Sequence, residues 1–217
     1  MIYIIGAGGF GREVLNIYID LNREDEILGF MEENTNREGK LLNGKPIHDI
    51  SLLEKLDPNN IKLICAIGSP IRKKIIEYTK KKGFQYDTII HPSVIKSRWI
   101  EVGIGSIICA GNIITSQISI KDFVIINLSC TIGHDVVIGK YTTISPGVHI
   151  SGKVCIGDGC FIGTGAVIIP NINIGKMSYI GAGAVVTKDI PDNSLAVGIP
   201  ARPIKKLNMS DWQHIKL

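Results

Sequence analysis

A six-residue repeat constrains the fold of this chain more than any other feature of its sequence. Between Val102 and Val186, every sixth residue is a β-branched aliphatic side chain, over fifteen consecutive positions. A helix repeats about every 3.6 residues and a half-buried strand about every two, so neither explains this spacing. A short fixed period is typical of a stacked solenoid, and a hexapeptide repeat predicts a parallel β-helix.

Two further positions of each hexad support the same prediction. The residue four places after the aliphatic one is mostly small or branched, as at Ser106, Val124, Cys130, Val136, Thr142, Val148, Val154, Cys160, Ala166, Ser178 and Ala184. The residue directly after it is often glycine, as at Gly103, Gly133, Gly139, Gly157, Gly163, Gly175 and Gly181. We expect three hexads to close one triangular coil, which gives about five coils, with the aliphatic side chains stacked inside. The glycines are expected at corners, where the backbone bends tightly. A sandwich with accidental spacing is the disfavoured alternative.

The N-terminal region has a different pattern, typical of an α/β unit. Ile2–Ile5 reads as a buried strand and runs into Gly6–Gly11, a G-x-G-x-x-G sequence. Residues 12–21 then have helical spacing. Strand, glycine loop and helix form the context of a nucleotide-binding fingerprint, in which the backbone approaches a phosphate at the helix N-terminus.

The next elements complete one small Rossmann-like unit. Residues 27–31 read as a second strand that ends at Glu32 and Glu33, where a carboxylate can accept a hydrogen bond from a ribose or a base. The remaining elements are expected at residues 50–56 (helix), 61–67 (strand), 71–82 (helix) and 86–90 (strand). A complete NAD-binding domain needs two such halves, so we predict a site for a nucleotide-linked ligand rather than for NAD. A tight turn without a ligand is the alternative.

The sequence therefore predicts two domains, at residues 1–92 and 93–217. The formal net charge of +4 is too small to indicate nucleic-acid binding. Five cysteines without a C-x-x-C pair argue against a disulfide framework or a metal site, and Cys130 and Cys160 read as core residues. With no signal-peptide pattern and no long apolar run, we expect a soluble, cytoplasmic protein that does not insert into a membrane.

The candidate catalytic unit consists of His134, Asp135 and Asn127. In the register of the repeat, Ile132 and Val136 point inward, so His134 and Asp135 are expected on the outer surface. A histidine can accept a proton from an amine or a hydroxyl that attacks a thioester, and a neighbouring carboxylate orients the ring and favours its protonated form. Backbone N–H groups of the coil could stabilise the oxyanion. A surface histidine without a function is the alternative.

Several short motifs along the chain carry a family resemblance. They are Gly6–Glu13, Ala66–Gly68, Ile90–Pro92, Gly133–Asp135 and Val197–Arg202. The chain resembles the bacterial sugar acyltransferases that join a small nucleotide-sugar domain to a left-handed β-helix. This family includes N-acetyltransferases of nucleotide-linked 4-amino sugars and O-acetyltransferases of sialic acid. The left-handed coil is implied by the resemblance, since spacing does not determine handedness.

The resemblance also implies roles for individual residues. His134 would be the general base, Asp135 would raise its basicity, and Asn127 would lie near the acceptor. The nucleotide-sugar site would include Gly8, Gly9, Phe10, Glu32, Glu33 and Gly68. The acetyl-CoA groove would include Thr143, Gly152, Thr164 and Ala182, with Arg202 near the CoA phosphates. The family acts as a homotrimer that binds both ligands between neighbouring subunits, and no metal is expected.

The predicted function is acetyl-CoA-dependent N-acetylation of a UDP- or GDP-linked 4-amino-4,6-dideoxy sugar. The first alternative is O-acetylation of sialic acid or a related sugar, for which the base chemistry is the same. The second is a non-catalytic β-helix scaffold. Phe10 and Thr143 stand where some members of the family have histidine, which leaves the details of substrate contact open.

Overall fold

The computed structural model describes residues 1–33 and 35–214, which form two compact units. The first unit comprises Met1–Gly68 and Arg72–Pro92, and the second comprises Ser69–Ile71 and Ser93–Leu217. The last three residues of the predicted second domain lie outside the described residues.

The first unit is a mostly parallel sheet with two helices. Its strands are β1 (Ile2–Ile5), β2 (Ile27–Glu32), β3 (Leu41–Leu42), β4 (Lys45–Asp49), β5 (Lys62–Cys65) and β6 (Gln85–Tyr86), in the order β3-β4-β2-β1-β5-β6. Its helices are α1 (Gly9–Asp20) and α2 (Lys73–Lys81), and 3₁₀ turns cover Glu24–Glu26 and Ile50–Lys55; a further 3₁₀ turn, Pro70–Arg72, precedes α2 in the chain. A short strand, β7 (Ile89–Ile90), ends the unit. The central strand β1 is buried along its whole length, as its apolar sequence predicts.

Three elements of this unit differ from the sequence-based prediction. The hairpin of β3 and β4 was not predicted, because a two-residue strand and a strand that contains Pro46 and His48 have no clear apolar alternation. The helix expected at residues 50–56 is a 3₁₀ turn. The strand expected at residues 86–90 is divided into β6 and β7.

The second unit is a triangular coil of short parallel strands. Its first face contains Ile107–Ile108, Ile125–Ile126, Thr143–Ile144, Phe161–Ile162, Tyr179–Ile180, Ser194–Val197 and, antiparallel at the end, Arg202–Lys206. Its second face contains Ile95–Lys96, Ile113–Ile114, Thr131–Ile132, His149–Ile150, Val167–Ile168 and Val185–Val186. Its third face contains Ile100–Val102, Ile118–Ile120, Val137–Ile138, Cys155–Ile156 and Asn173–Ile174. Consecutive strands of a face are eighteen residues apart, as Ile126 and Ile144 are, so three hexads close one coil as predicted.

The aliphatic residues of the repeat form the inner columns of this coil. From Ile108 to Val186, all fourteen are at most 2% exposed, and only Val102 at the first coil is half-buried. The small or branched residues four places later are buried as well, including Cys130 and Cys160, which confirms that these two cysteines are core residues. Stacking these side chains removes apolar surface from water along the whole length of the coil.

The glycines that follow the aliphatic residues have a different role from the predicted one. A β-carbon on Gly133, Gly139 or Gly163 would lie 2.5 to 2.7 Å from a backbone nitrogen of the next coil, and none of the three has a left-handed φ. The left-handed corner lies two residues later, for example at Asp135 (φ +59°) and Tyr141 (φ +61°). The prediction that these glycines serve a tight bend was therefore wrong; they allow adjacent coils to approach closely.

The C-terminal segment packs on the outer side of the first face. The helix α3 (Asp211–His214) brings Trp212, which is 2% exposed, into a small cluster with Phe161 and Leu207. The rings of Phe161 and Tyr179 stack with centroids 4.9 Å apart, and Trp212 lies 6.2 Å from the Tyr179 ring. The sequence assigned no role to this segment, because one tryptophan in a polar tail has no periodic signal.

Candidate active site

His134 and Asp135 form a hydrogen-bonded pair on an edge of the coil. They occupy the turn between Thr131–Ile132 on the second face and Val137–Ile138 on the third, which we call the His134 edge. Nδ1 of His134 lies 2.8 Å from Oδ2 of Asp135, and the two side chains are 63% and 48% exposed. Both side chains point outward, as the register of the repeat predicts.

Asp135, next to His134 in the chain, lies at a left-handed corner of the coil with a φ of +59°. A carboxylate acceptor at Nδ1 favours the imidazole tautomer with its proton on Nδ1, which leaves Nε2 free to accept a proton. The arrangement is an oriented imidazole at the protein surface whose Nε2 can accept a proton.

The imidazole of His134 lies against Gly152, at the same position of the next coil. A β-carbon on Gly152 would lie 2.6 Å from both Cε1 and Nε2 of the ring. Gly152 was predicted to lie along the acetyl-CoA groove, and the structure places it beside the candidate base. Any side chain at this position would displace the ring.

Asn127 lies on a different edge of the coil. It follows Ile125–Ile126 on the first face, at the turn into the second face, and we call this the Asn127 edge. The carbonyl of Asn127 accepts a hydrogen bond of 2.9 Å from the buried side chain of Asn112, which also donates to the Cys109 carbonyl and accepts from the Cys130 amide. Within one chain, the second face separates Asn127 from His134.

The other residues predicted for the acetyl-CoA groove lie at three different places on the coil. Thr164 and Ala182 are exposed on the Asn127 edge, in consecutive coils, with the Gly183 amide donating to the Thr164 carbonyl at 2.8 Å. Thr143 is buried on the first face. Arg202 is exposed at the start of the last strand, Arg202–Lys206.

The Asn127 edge has little side-chain bulk. Gly147, Gly165 and Gly183 occupy its left-handed corners in three consecutive coils, and a β-carbon on any of them would meet nothing within 4 Å. Their φ values of +66° to +68° explain why glycine is favoured there. The result is an open strip of backbone along which a long ligand could lie.

The first unit has a pocket at the carboxyl ends of β1 and β2. It has a volume of about 700 Å³ and is lined by Ile5, Gly6, Met31, Glu32, Glu33 and residues of α2, among others. This volume is in the range of small-ligand pockets, and the ends of parallel strands are where α/β proteins bind nucleotides. The pocket thus includes the two predicted acidic residues.

Two glycines of the N-terminal loop are required by close packing, whereas others have open space around them. A β-carbon on Gly6 would lie 2.8 Å from the Ala66 carbonyl oxygen, and one on Gly11 would lie 2.1 Å from that of Gly6, so these two glycines are needed for packing. In contrast, Gly8 and Gly68 have open space around the missing β-carbon, and Gly9 would meet only Arg12 at 3.8 Å. The three glycines predicted to contact ligand are those without a packing constraint.

Gly8 and Gly9 are also where the backbone offers free donors. Gly8 is the N-cap of α1, no side chain caps this helix end, and Phe10 in the first turn is half-buried. Uncapped N–H groups at a helix N-terminus favour a phosphate.

Arg37 binds Glu32 at the edge of the pocket and was not predicted. Its guanidinium donates to both carboxylate oxygens of Glu32, with Nε at 3.0 Å from Oε1, and to the Ala7 carbonyl at 3.1 Å. The hydrogen bond from Arg37, with a second from Thr35, holds the pKa of Glu32 below its usual value. Glu33, next in the chain, is exposed. Arg37 lies in a loop without periodicity, so the sequence contained no signal for this contact.

The described residues contain neither a metal site nor a membrane-spanning helix. No group of three or more His, Cys, Asp or Glu side chains in residues 1–33 and 35–214 is arranged to hold a metal ion. In the same part of the chain, no helix has the length and apolarity required to cross a bilayer.

Comparison with known proteins matches both halves of the chain. The profile described as the PglD N-terminal domain matches residues 1–79, and that of the hexapeptide repeat of succinyl-transferase matches residues 153–188. The GDP-perosamine N-acetyltransferase of Escherichia coli O157:H7 is 33% identical over 157 residues, which cover 69% of this chain and 69% of the relative.

Solved structures match almost the whole chain. A histidine-to-asparagine variant of perosamine N-acetyltransferase from Caulobacter crescentus, in complex with CoA and GDP-perosamine, has a TM-score of 0.88 at 30% identity, with 94% of this chain and 96% of that chain covered. The acetyltransferase domain of PglB from Neisseria gonorrhoeae FA1090, in complex with acetyl coenzyme A, has a TM-score of 0.86 at 33% identity, with coverages of 94% and 98%. The stacked parallel sheets thus form a left-handed β-helix, and the chain belongs to the family of bacterial hexapeptide-repeat sugar acyltransferases.

Proposed function

We propose that this protein is an acetyl-CoA-dependent N-acetyltransferase that acts on the amine of a UDP- or GDP-linked 4-amino-4,6-dideoxy sugar. The observation that carries the proposal is the His134–Asp135 pair, an oriented imidazole on an exposed edge of the coil. The relatives with matching folds include enzymes that N-acetylate perosamine and that bind CoA together with GDP-perosamine.

In the proposed reaction, the sugar amine attacks the carbonyl carbon of the acetyl thioester. Nε2 of His134 accepts a proton from the attacking nitrogen, while Asp135 holds the ring through Nδ1 and stabilises the imidazolium that forms. Collapse of the tetrahedral intermediate breaks the carbon–sulfur bond, and the departing thiolate takes the proton from His134. The products are the N-acetylated sugar and CoA, and no covalent enzyme intermediate is required.

The first unit supports a nucleotide on the acceptor. Its pocket at the ends of β1 and β2, the uncapped N-terminus of α1 and the unconstrained glycines Gly8, Gly9 and Gly68 suit a nucleoside diphosphate. Glu33 is the better-placed acceptor for a base or ribose, because the Glu32 carboxylate is already bound by Arg37.

The division of the site between two edges supports a homotrimer with shared sites. In a ring of three chains, the His134 edge of one subunit can face the Asn127 edge of its neighbour, because heterologous contacts related by a threefold rotation form a closed ring. Acetyl-CoA would then lie between Gly152 of one subunit and Thr164 and Ala182 of the next. A monomer would lack half of these groups, so sedimentation that shows an active monomer at assay concentration would exclude this arrangement.

The reaction is tested by measuring thiol release from acetyl-CoA with a panel of acceptors. UDP- and GDP-linked 4-amino-4,6-dideoxy sugars are compared with free sialic acid, and with acetyl-CoA alone as the control for hydrolysis. We expect turnover with one nucleotide amino sugar, which also identifies the base. Turnover with sialic acid only would replace the proposal by O-acetylation, and no turnover with any acceptor would favour a scaffold. Because acetyl-CoA and nucleotide sugars are made in the cytoplasm, we place the enzyme there.

A further inference from the structure

The His134 edge carries an exposed arginine and an exposed tryptophan in its first coil. Arg98 and Trp99 form the bend between Ile95–Lys96 on the second face and Ile100–Val102 on the third. Trp99 is 56% exposed, and the Arg98 guanidinium lies over its ring, 4.6 Å from the centroid. Among the described residues, Arg98 pairs with no carboxylate, so its charge is available to a ligand.

These two residues stand in register with the candidate base. The strand pairings place Ile95 beside Ile113 and Ile113 beside Thr131, so Arg98 shares the position of His134, and Trp99 that of Asp135, two coils earlier. Adjacent strands are about 4.8 Å apart, which puts Arg98 roughly 10 Å from His134 along the edge. That separation leaves room for a hexose with its first phosphate between the two side chains.

The direction along the edge distinguishes the side that binds acetyl-CoA from the side that binds the acceptor sugar. Gly152, Thr164 and Ala182, which we assign to acetyl-CoA, all belong to coils that follow His134. The acceptor amine must approach the thioester from the other side of the imidazole, that is, from the coils that precede it. Between His134 and Arg98 the edge carries Thr115, Ser116 and Gln117, so the space beside a sugar ring is lined by small or polar groups.

We propose that Arg98 and Trp99 form a binding subsite for the acceptor, in which Arg98 contacts the phosphate attached to the sugar and the Trp99 ring packs against that sugar. A guanidinium is suited to phosphate oxygens because it presents several N–H donors in one plane. The indole offers a rigid apolar face, and a guanidinium stacked on it is held in place before the ligand binds. This subsite rests on the proposed function and adds two residues that bind the acceptor without taking part in proton transfer.

The test is steady-state kinetics of Arg98→Ala and Arg98→Lys in the full-length protein, with the nucleotide amino sugar that the wild type accepts. Loss of a charged hydrogen bond should raise KM for the nucleotide sugar about tenfold or more in Arg98→Ala, with kcat and KM for acetyl-CoA within about twofold. Arg98→Lys should recover part of the loss, since it keeps the charge. Lys121→Ala, which removes an exposed charge from another edge of the coil, is the matched control and should behave as wild type.

Tryptophan fluorescence gives a second measurement that does not depend on turnover. The chain has two tryptophans, of which Trp99 is exposed and Trp212 is buried, so a ligand at the subsite should change the emission of Trp99 alone. We expect the nucleotide amino sugar to change the wild-type signal and leave Trp99→Phe unaffected, while acetyl-CoA causes no such change.

The possible failures are distinguishable. If the wild type is active and Arg98→Ala has an unchanged KM for the sugar, the subsite is wrong and the proposed function stands. A rise in KM for acetyl-CoA would place Arg98 on the donor side, and loss of the trimer on sedimentation would make it an interface residue; both overturn the inference. If the wild type turns over no nucleotide amino sugar, the proposed function and the subsite fall together.

Discussion

The imidazole of His134 rests on Gly152, eighteen residues later and one coil further along the same edge. The contact is so close that a β-carbon at Gly152 would lie 2.6 Å from both Cε1 and Nε2 of the ring. Gly152 has no left-handed φ, so its backbone suits any residue, and the three atoms nearest to a β-carbon there all belong to the His134 ring. The absence of a side chain at residue 152 thus leaves the space that this orientation of the candidate base requires.

Gly152→Ala is expected to reduce kcat by about 10², because a displacement of order 1 Å of a catalytic group has effects of this size. The fold should persist, since the backbone conformation is allowed to alanine. The measurement is kcat together with circular dichroism and sedimentation. The same substitution made in His134→Ala should have almost no further effect, since there is no ring left to displace. Equal losses in both backgrounds would show that Gly152 acts independently of His134.

His134→Asn is expected to reduce kcat by about 10²–10⁴, the usual contribution of a general base. The KM for acetyl-CoA should change little, because the proposed role of the imidazole is to take a proton from the acceptor amine. His149→Asn is the matched control, since His149 is also exposed on the coil but its Nδ1 lies 2.8 Å from the Thr131 hydroxyl rather than beside a carboxylate. Wild-type turnover in His134→Asn would remove this residue from the mechanism.

Asn112→Ala is expected to destabilise the coil by about 1–3 kcal/mol, because it leaves buried backbone groups without partners. The Asn112 amide donates to the carbonyls of Cys109 and Asn127 at 2.7 and 2.9 Å, and its oxygen accepts from the Cys130 amide at 2.9 Å. Urea unfolding measures the change. Asn173→Ala, at an exposed position of the third face, removes one exposed hydrogen bond of 3.2 Å to Asp189 and should cost only about 0.5 kcal/mol. Equal midpoints for the two variants would contradict a structural role for Asn112.

Thiol labelling at pH 8 should modify one cysteine per chain rapidly. Cys155 is exposed, whereas Cys65, Cys109, Cys130 and Cys160 are buried. Burial also raises the pKa of Cys130 to about 11 and that of Cys160 to about 12, so both thiols stay protonated and unreactive. Cys155→Ser should abolish the fast phase, and urea should expose the other four. A fast phase of more than one thiol would show that a cysteine buried in the structure becomes accessible in the native protein.

The Arg37–Glu32 pair predicts a pH-dependent contribution to the stability of the first unit. Because the hydrogen bond from Arg37 lowers the folded-state pKa of Glu32, the contribution is complete at neutral pH and is lost as the pH falls through that lowered pKa. Arg37→Ala should therefore lower the melting temperature slightly at pH 7 and progressively less below about pH 4. In Glu32→Gln, the effect of Arg37→Ala should not depend on pH. If the difference in melting temperature between the wild type and Arg37→Ala stayed constant from pH 7 to pH 3, this pH dependence would be contradicted.

Much of the site was predictable because the coil is periodic. Once Ile132 and Val136 are assigned to the interior, the outward positions of His134 and Asp135 follow from the alternation of side chains along a strand. The open surroundings of Gly8 and Gly9 fit their predicted place in a phosphate-binding loop. Arg37 was not predictable, since its contact with Glu32 depends on the path of an irregular loop rather than on a repeating pattern.

The sequence alone determined that residues 102–186 form a coil of hexads, that its aliphatic side chains are buried and that His134 faces outward, because a strict period assigns each residue to one side of the backbone. Only the tertiary structure decided which residues share an edge. Stacking at eighteen-residue intervals joins Gly152 to His134 and separates Asn127 from both, since hydrogen bonds between coils, rather than neighbours in the chain, bring these groups together. The tertiary structure also showed why glycine follows the aliphatic residues, because the next coil comes close to these positions only in the folded coil.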